Sequence, residues 1–174
     1  MSRAGRVDDE FRRFAVAFAP TLLRGAYFLL HDLDLAQDAV QITMFQTSRH
    51  WERAKAAPEA YSRRVLINVC REDWRRRARR PQEVSASEQP SEPPAVSFTD
   101  RVQQRQALDQ ALGALLSPQR EILVLRFFFD LSVAQTAELL QIAEGTVKSA
   151  THRGLDQLRD ILSPSDTKES YVEQ

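Results

Sequence analysis

The chain has 174 residues, enough for one large domain or two small ones at roughly 100–200 residues per domain. It is 43% hydrophobic and 28% charged, so it can bury a core, and its one cysteine, Cys70, excludes a disulfide framework and a Cys-based zinc site. The formal net charge of zero conceals a basic first half, with 16 Lys/Arg against 10 Asp/Glu over residues 1–80, and an acidic middle, with none against 4 over 81–100; residues 101–162 balance at 7 and 7, and 163–174 carry 1 and 3. Five glycines argue against Gly-loop nucleotide-binding and sheet-rich architectures. No apolar run approaches a membrane span of about 18–20 residues, and the N-terminus has no apolar segment of a secretion signal. A cytoplasmic, mostly helical protein without membrane insertion is the expectation, and the charge asymmetry hints at nucleic-acid contact.

In chain order, the periodicity predicts helices over about 8–31, 35–51 and 58–79. Phe11, Phe14, Phe18, Leu22 and Leu29 make one apolar stripe on the first. The second opens on Asp34-Leu-Ala-Gln37, which resembles a capping box, and the third on Pro58 with Glu59 complementing the helix dipole. Tyr61, Val65, Leu66, Val69 and Cys70 form the apolar face of that third helix. Residues 81–100 carry four prolines, four acids, four serines and no base, which reads as a tether. Beyond it, helices are predicted near 101–116, 118–129, 132–140 and 144–161, with Ser117-Pro118 supplying an N-cap and N1 proline, and Ser132…Gln135 a capping box. The fold class is all-α: two small helical domains, 8–80 and 101–162, joined by a flexible acidic Pro-rich linker at 81–100 and followed by a tail at 163–174.

The segment from Leu131 to Leu155 has the pattern of a helix-turn-helix. Ala137 is the small residue where two helices cross, and Leu139, Leu140, Ile142 and Val147 are apolar anchors. Lys148, Ser149, His152 and Arg153 then fall on the opposite face of the second helix, at the spacing of a groove-reading surface. The same pattern suits an ordinary helical hairpin with a solvated polar face. Glu144-Gly-Thr146-Val-Lys-Ser149 resembles the recognition-helix opening of sigma-factor region 4 and of response-regulator DNA-binding domains, and Leu116-Ser-Pro-Gln-Arg-Glu121 resembles the sigma version. Two positions depart from that family: Gln141 stands where its turn usually has Gly, at about 1 kcal/mol, and Ala143 stands where it usually has a capping residue, at about 1 kcal/mol.

Upstream, Asp34-Leu-Ala-Gln-Asp38-Ala-Val-Gln41-Ile-Thr-Met-Phe45 resembles sigma region 2.2, whose helix docks on the β′ clamp helices of RNA polymerase. Asp38, Gln41 and Phe45 are the polymerase-binding residues this implies. Pro58 to Arg77 resembles the region 2.3–2.4 helix of extracytoplasmic-function sigma factors, nearest to the SigE-like actinobacterial group on Ala60-Tyr-Ser-Arg-Arg-Val-Leu-Ile-Asn68. His31-Asp32 departs from that group, standing where Gly-Asp is commoner. Asn68 matches the position facing the captured −10 base, and an amide suits a base edge as both donor and acceptor. Six arginines lie between 71 and 80, spread around the helix as a basic collar for phosphates. Arg63, Arg64, Arg71, Arg75 and Arg76 are the basic candidates for −10 DNA. Trp51, in a basic loop, is a candidate for stacking on an unpaired base, worth about 1–3 kcal/mol, or else closes a core. Trp74 and Cys70 are expected to be packing residues.

The resemblance implies an alternative sigma factor, not an enzyme and without cofactor or metal. Its region 2 opens the −10 element, and its region 4 reads the −35 element through Thr146, Lys148, Ser149, His152 and Arg153. Its partners are core RNA polymerase (β′ clamp helices and β flap), promoter DNA and, as in many small members of the family, an anti-sigma protein. Twenty extended tether residues reach up to about 70 Å, against about 25 Å for a relaxed coil, so the tether must be stretched in a promoter complex. Its acids Glu83, Glu88, Glu92 and Asp100 would suit a basic channel of the polymerase, and Phe127-Phe-Phe129 is either core or partner surface. A helix-turn-helix repressor would instead bind duplex DNA unaided, and an enzyme would need convergent groups that His31, His50 and His152, in three separate elements, do not supply.

Overall fold

A computed structural model describes residues 3–79 and 100–163. The described residues are helical: α1 (Arg3–Leu30), α2 (Leu33–Arg49), α3 (Trp51–Ala54) and α4 (Pro58–Arg79) form a first unit, and α5 (Asp100–Ala114), α6 (Ser117–Leu123), α7 (Val133–Leu140) and α8 (Glu144–Leu162) a second. Residues 80–99, with the tether acids Glu83, Glu88 and Glu92, lie outside the described residues. The fourth acid, Asp100, begins α5.

The first unit is built on α1. Its stripe Phe18, Leu22, Ala26 and Leu29 is buried against Ala36 and Ala39 of α2 and Leu66, Ile67 and Cys70 of α4. The stretch Asp9–Leu30 has 22 residues and a mean hydropathy of 1.2, long and apolar enough to cross a membrane, contrary to the sequence reading; its buried stripe places it instead as the core helix of this unit. The cap of α2 is also shifted. Asp32, not Asp34, accepts from the Leu35 backbone N–H at 2.9 Å, so the helix starts earlier and the Asp34–Gln37 box does not form. The turn ahead of it runs through His31 at φ 55°, the left-handed conformation expected where a glycine is missing.

The basic loop after α2 contains the short helix α3. Its Trp51 is 5% exposed and sits against the rings of Phe11 and Phe14 at centroid distances of 5.4 and 5.5 Å. A base cannot stack on an indole closed in this way, so the stacking role is corrected to packing. Truncating such a buried aromatic costs about 3–5 kcal/mol.

In the second unit, the predicted helix over 118–129 changes character midway. Residue 116, not Ser117, is the N-cap of α6, and after Leu123 one π-helical turn runs over Val124–Phe128, closed by Phe129 N–H donating to the Val124 carbonyl at 3.0 Å. The turn splits the phenylalanine run: Phe129 is buried, Phe128 half-buried and Phe127 58% exposed. Helix α7 opens on the expected capping box, with Ser132 Oγ accepting from Gln135 N–H at 3.0 Å and Gln135 Oε1 accepting from Ser132 N–H at 2.8 Å.

The two units share one core. Ile122, Val124, Leu125 and Phe129 of the second join the buried side chains of α1, α2 and α4. Gly25 on α1 permits this approach: a Cβ there would lie 2.2 Å from Phe129 Cζ and 3.2 Å from Phe128 Cε1. Phe28 meets Phe128 edge-to-face at 5.2 Å and packs on Ala111, Leu112, Leu115, Leu123 and Leu158. Arg120 is buried, and its guanidinium donates to the carbonyls of Leu112 (2.8 Å), Gly113 (2.6 Å) and Leu115 (2.9 Å) at the end of α5, and to Leu29 (3.1 Å) at the end of α1. These are carbonyls of the kind helix ends leave without intrahelical partners.

Candidate nucleic-acid interface

The helix-turn-helix forms as the spacing predicts. Gln141 has φ 55° and ψ 46°, and the Ile142 N–H reaches back to the Ala137 carbonyl at 3.0 Å, the six-to-one bond of a Schellman termination made without glycine. Ala143 caps α8 with backbone geometry alone and makes no side-chain cap bond. Val147, Ala150, Gly154 and Leu158 are the buried face of α8, and Gly154 lets it close on α6, where a Cβ would sit 3.0 Å from Leu123 Cδ1.

Thr146, Lys148, Ser149, His152 and Arg153 are all exposed on the other face of α8. Their bonds are local. Ser149 Oγ donates to the Thr146 carbonyl at 3.1 Å, Arg153 Nε to the Ser149 carbonyl at 3.3 Å, and Lys148 lies 4.0 Å from Glu144. His152 Nδ1 is 3.3 Å from Asp156 Oδ2. Exposed pairs of this kind are worth about 0–1 kcal/mol, so DNA can exchange them for phosphates and base edges at little cost.

On α4 the arginines do not form a collar. Asn68, Arg71, Glu72, Arg75, Arg76 and Arg79 line one groove of about 650 Å³, a single stripe at three- and four-residue spacing. Arg77 turns away, to Asp73 at 2.8 Å and Asp32 at 3.9 Å. Arg79 and Glu72 belong to the groove and escaped the sequence reading, although counting turns from Asn68 reaches both. Arg64, exposed, continues the stripe one turn before Asn68, whereas Arg63 is held by Glu59 at 3.4 Å and lies over the Phe18 ring at 5.9 Å to the centroid. Of the proposed −10 residues, the groove gathers Asn68, Arg71, Arg75 and Arg76 and leaves out Trp51, Arg63 and Arg64.

Arg71 faces two ways. Its Nε and Nη2 donate to the two carboxylate oxygens of Glu121 on α6 at 2.7 and 3.0 Å. Burial pushes the Glu121 carboxyl up from its ordinary value, and the Arg71 pairing pulls it back only in part. Beneath the groove, Cys70 is fully buried and its thiol is pushed up to about 12 by burial first and by the charges of Glu121 and Asp73 second.

On α2, Asp38, Gln41 and Phe45 are exposed together, Phe45 at 60%, while Ala36, Ala39, Thr43 and Thr47 turn inward. Among the described residues no His/Cys/Asp/Glu cluster suited to a metal occurs.

A two-unit helical protein that carries a helix-turn-helix in one unit and an asparagine–arginine stripe on a helix of the other has the features of a DNA-binding transcription factor. Residues 14–80 match the family model of Sigma-70 region 2, and residues 105–158 that of Sigma-70 region 4. The chain is 36% identical over 167 residues to the RNA polymerase sigma-E factor of Streptomyces coelicolor, covering 95% of this chain and 93% of that one. It is 34% identical over 150 residues to the ECF RNA polymerase sigma factor SigL of Mycobacterium tuberculosis, covering 83% and 84%. Its fold is similar to that of the sigma factor RpoE in complex with the anti-sigma factor NepR from Bartonella quintana, at a TM-score of 0.70, 24% identity and coverage of 90% and 98%. CnrH, in complex with the cytosolic domain of CnrY, gives a TM-score of 0.63 at 18% identity, covering 89% and 88%. The chain belongs to the extracytoplasmic-function sigma factors of the sigma-70 family. Such a protein is not an enzyme: it binds core RNA polymerase and directs promoter-specific initiation, region 2 opening the −10 element and region 4 reading the −35 element. Homologues of this family act in the cytoplasm, with RNA polymerase.

Proposed function

We propose that this sigma factor divides its work among three helix faces, with region 2 over 8–80, a linker over 81–100 and region 4 over 101–162. Thr146, Lys148, Ser149, His152 and Arg153 of α8 enter the major groove of the −35 element. Asn68 reads a captured −10 base, and Arg64, Arg71, Arg75, Arg76 and Arg79 hold the surrounding phosphates. Asp38, Gln41 and Phe45 dock on the β′ clamp helices, region 4 meets the β flap, and the protein works in the cytoplasm. An anti-sigma protein is a further proposed partner, in keeping with the complexes in which RpoE and CnrH were solved.

The observation that carries this reading is the presence, in one chain, of an exposed basic stripe on a helix-turn-helix and an Asn-led arginine groove on α4. Run-off transcription with purified core polymerase on fragmented genomic DNA tests it. New discrete start sites that vanish with Asn68→Ala and with Lys148→Ala/Arg153→Ala are expected. Starts that survive both changes would refute the residue assignment.

A further inference from the structure

The exposed face of α8 presents its hydrogen-bonding groups in a fixed order. At about 100° per residue, the order around the helix is Lys148, His152, Ser149, Arg153. The two outer residues can only donate. Ser149 Oγ spends its one hydrogen on the Thr146 carbonyl at 3.1 Å, which leaves it only lone pairs to offer DNA. Arg153 anchors its Nε on the Ser149 carbonyl at 3.3 Å, so the far nitrogens of its guanidinium remain for DNA.

Histidine is the member of this row that can play either part, and α8 itself settles which. The ring is 81% exposed, and Nδ1 lies 3.3 Å from Asp156 Oδ2, one turn further along. A carboxylate can only accept, so Nδ1 carries the proton, and in the neutral ring Nε2 is left as an acceptor. Asp156 is held in turn: its other oxygen, Oδ1, accepts from Arg159 Nη1 at 2.9 Å. Arg159 also balances the negative charge that Asp156 would otherwise bring close to DNA phosphates. The Lys148–Glu144 pair must part before Lys148 can reach DNA, but this pair need not, because the imidazole has a second nitrogen.

We infer that Asp156 is a positioning residue for promoter reading. It makes His152 an acceptor, and His152 and Ser149 together read the exocyclic amino groups of adenine or cytosine, between flanking contacts from Lys148 and Arg153. This rests on the reading of α8 as the −35 surface. In the major groove adenine offers N6–H and cytosine N4–H, whereas guanine and thymine carry the oxygens O6 and O4 in those places. An acceptor on the protein pairs with the first two bases and meets opposing lone pairs on the others.

The test uses holoenzyme, this chain with core polymerase, on promoter duplexes randomised across the −35 region, and counts the transcribed templates by sequencing. In the parent, a position that responds to His152→Ala should favour adenine or cytosine over guanine and thymine on one strand, on the order of tenfold. Asp156→Ala should relax that same position to within about threefold and leave the positions that respond to Lys148→Ala/Arg153→Ala unchanged, since a freed ring offers either nitrogen. Asp156→Glu, which returns a carboxylate to that turn, should restore the preference, and His152→Lys, which can only donate, should turn it toward guanine or thymine. The inference is overturned if the His152 position selects guanine or thymine in the parent, or if Asp156→Ala leaves its preference intact. It is equally overturned if Asp156→Ala relaxes every position alike, as a loosened helix would, or if positions respond to Lys148→Ala/Arg153→Ala and none to His152→Ala. Should neither set of changes alter selection at any position while transcription continues, the −35 assignment of α8 itself fails, and the role of Asp156 with it.

Discussion

Cys70 and Gln141 show how much a single position carries. The Cys70 thiol is fully buried and neutral, its ionisation pushed up to about 12 by burial first and by the charges of Glu121 and Asp73 second. The unfolded thiol ionises first, so above pH 9 the unfolded state binds fewer protons and stability falls as pH rises. The slope is about 1.4 kcal/mol per pH unit until the folded thiol itself ionises near 12. Urea unfolding between pH 8 and 10.5 should show a steeper loss of stability in the parent than in Cys70→Ala; the Tyr27 hydroxyl, also pushed up to about 12, adds its own slope to both from about pH 10. Gln141 is strained by backbone rather than by burial: it is exposed at φ 55°, where a side chain costs roughly 1 kcal/mol relative to glycine. Gln141→Gly should raise stability by about 0.5–1 kcal/mol in thermal unfolding without moving the recognition helix. His31 shares the left-handed geometry, but its ring stacks on Tyr27, so the equivalent glycine would trade strain for a lost contact.

At the scale of the element, α4 and α8 use the same chemistry for different targets. Each turns a buried apolar face inward and exposes bases at helical spacing, and each ties some of those bases to acids of its own helix. The local pairs are weak and screened, so the bases remain available to phosphates. Arg75→Ala/Arg76→Ala should lower the slope of log affinity against log salt for promoter DNA bound to the holoenzyme by about 1.4, near 0.7 per contact for a strand held single. The reading of α4 as a collar failed because six arginines in ten residues cover the helix on paper. In the folded chain Asp73 and Asp32 draw Arg77 aside, and Arg71, Arg75, Arg76 and Arg79 align with Asn68, while Arg80 lies outside the described residues.

For the whole molecule, the continuous core has a thermodynamic signature. Side chains of α1, α2 and α4 and of α6, α7 and α8 belong to one buried cluster, so scanning calorimetry should show a single cooperative transition. Gly25→Ala should split or broaden it. Arg120 bridges four carbonyls from α1 and α5, and Arg120→Met would leave them buried without a donor. At about 1–3 kcal/mol for each carbonyl that water cannot reach, a loss of at least 3 kcal/mol is expected from denaturant unfolding.

Helix order, the helix-turn-helix, the Ser132 box and the left-handed strain at His31 and Gln141 were all legible in the sequence, because each depends on residues within a turn or two of one another. So were the exposed bases of α8 and the outward face of Asp38, Gln41 and Phe45, since helical periodicity assigns faces without reference to a partner. Other features were decided only by tertiary structure. Trp51 became a core residue because α1 brings Phe11 and Phe14 to it, and the phenylalanine run was divided by a π turn. Arg71 met Glu121 across a separation of 50 residues. Local rules say which way a side chain points from its own helix; what stands opposite is set by how helices pack, and here that packing turns the acids of one half toward the bases of the other.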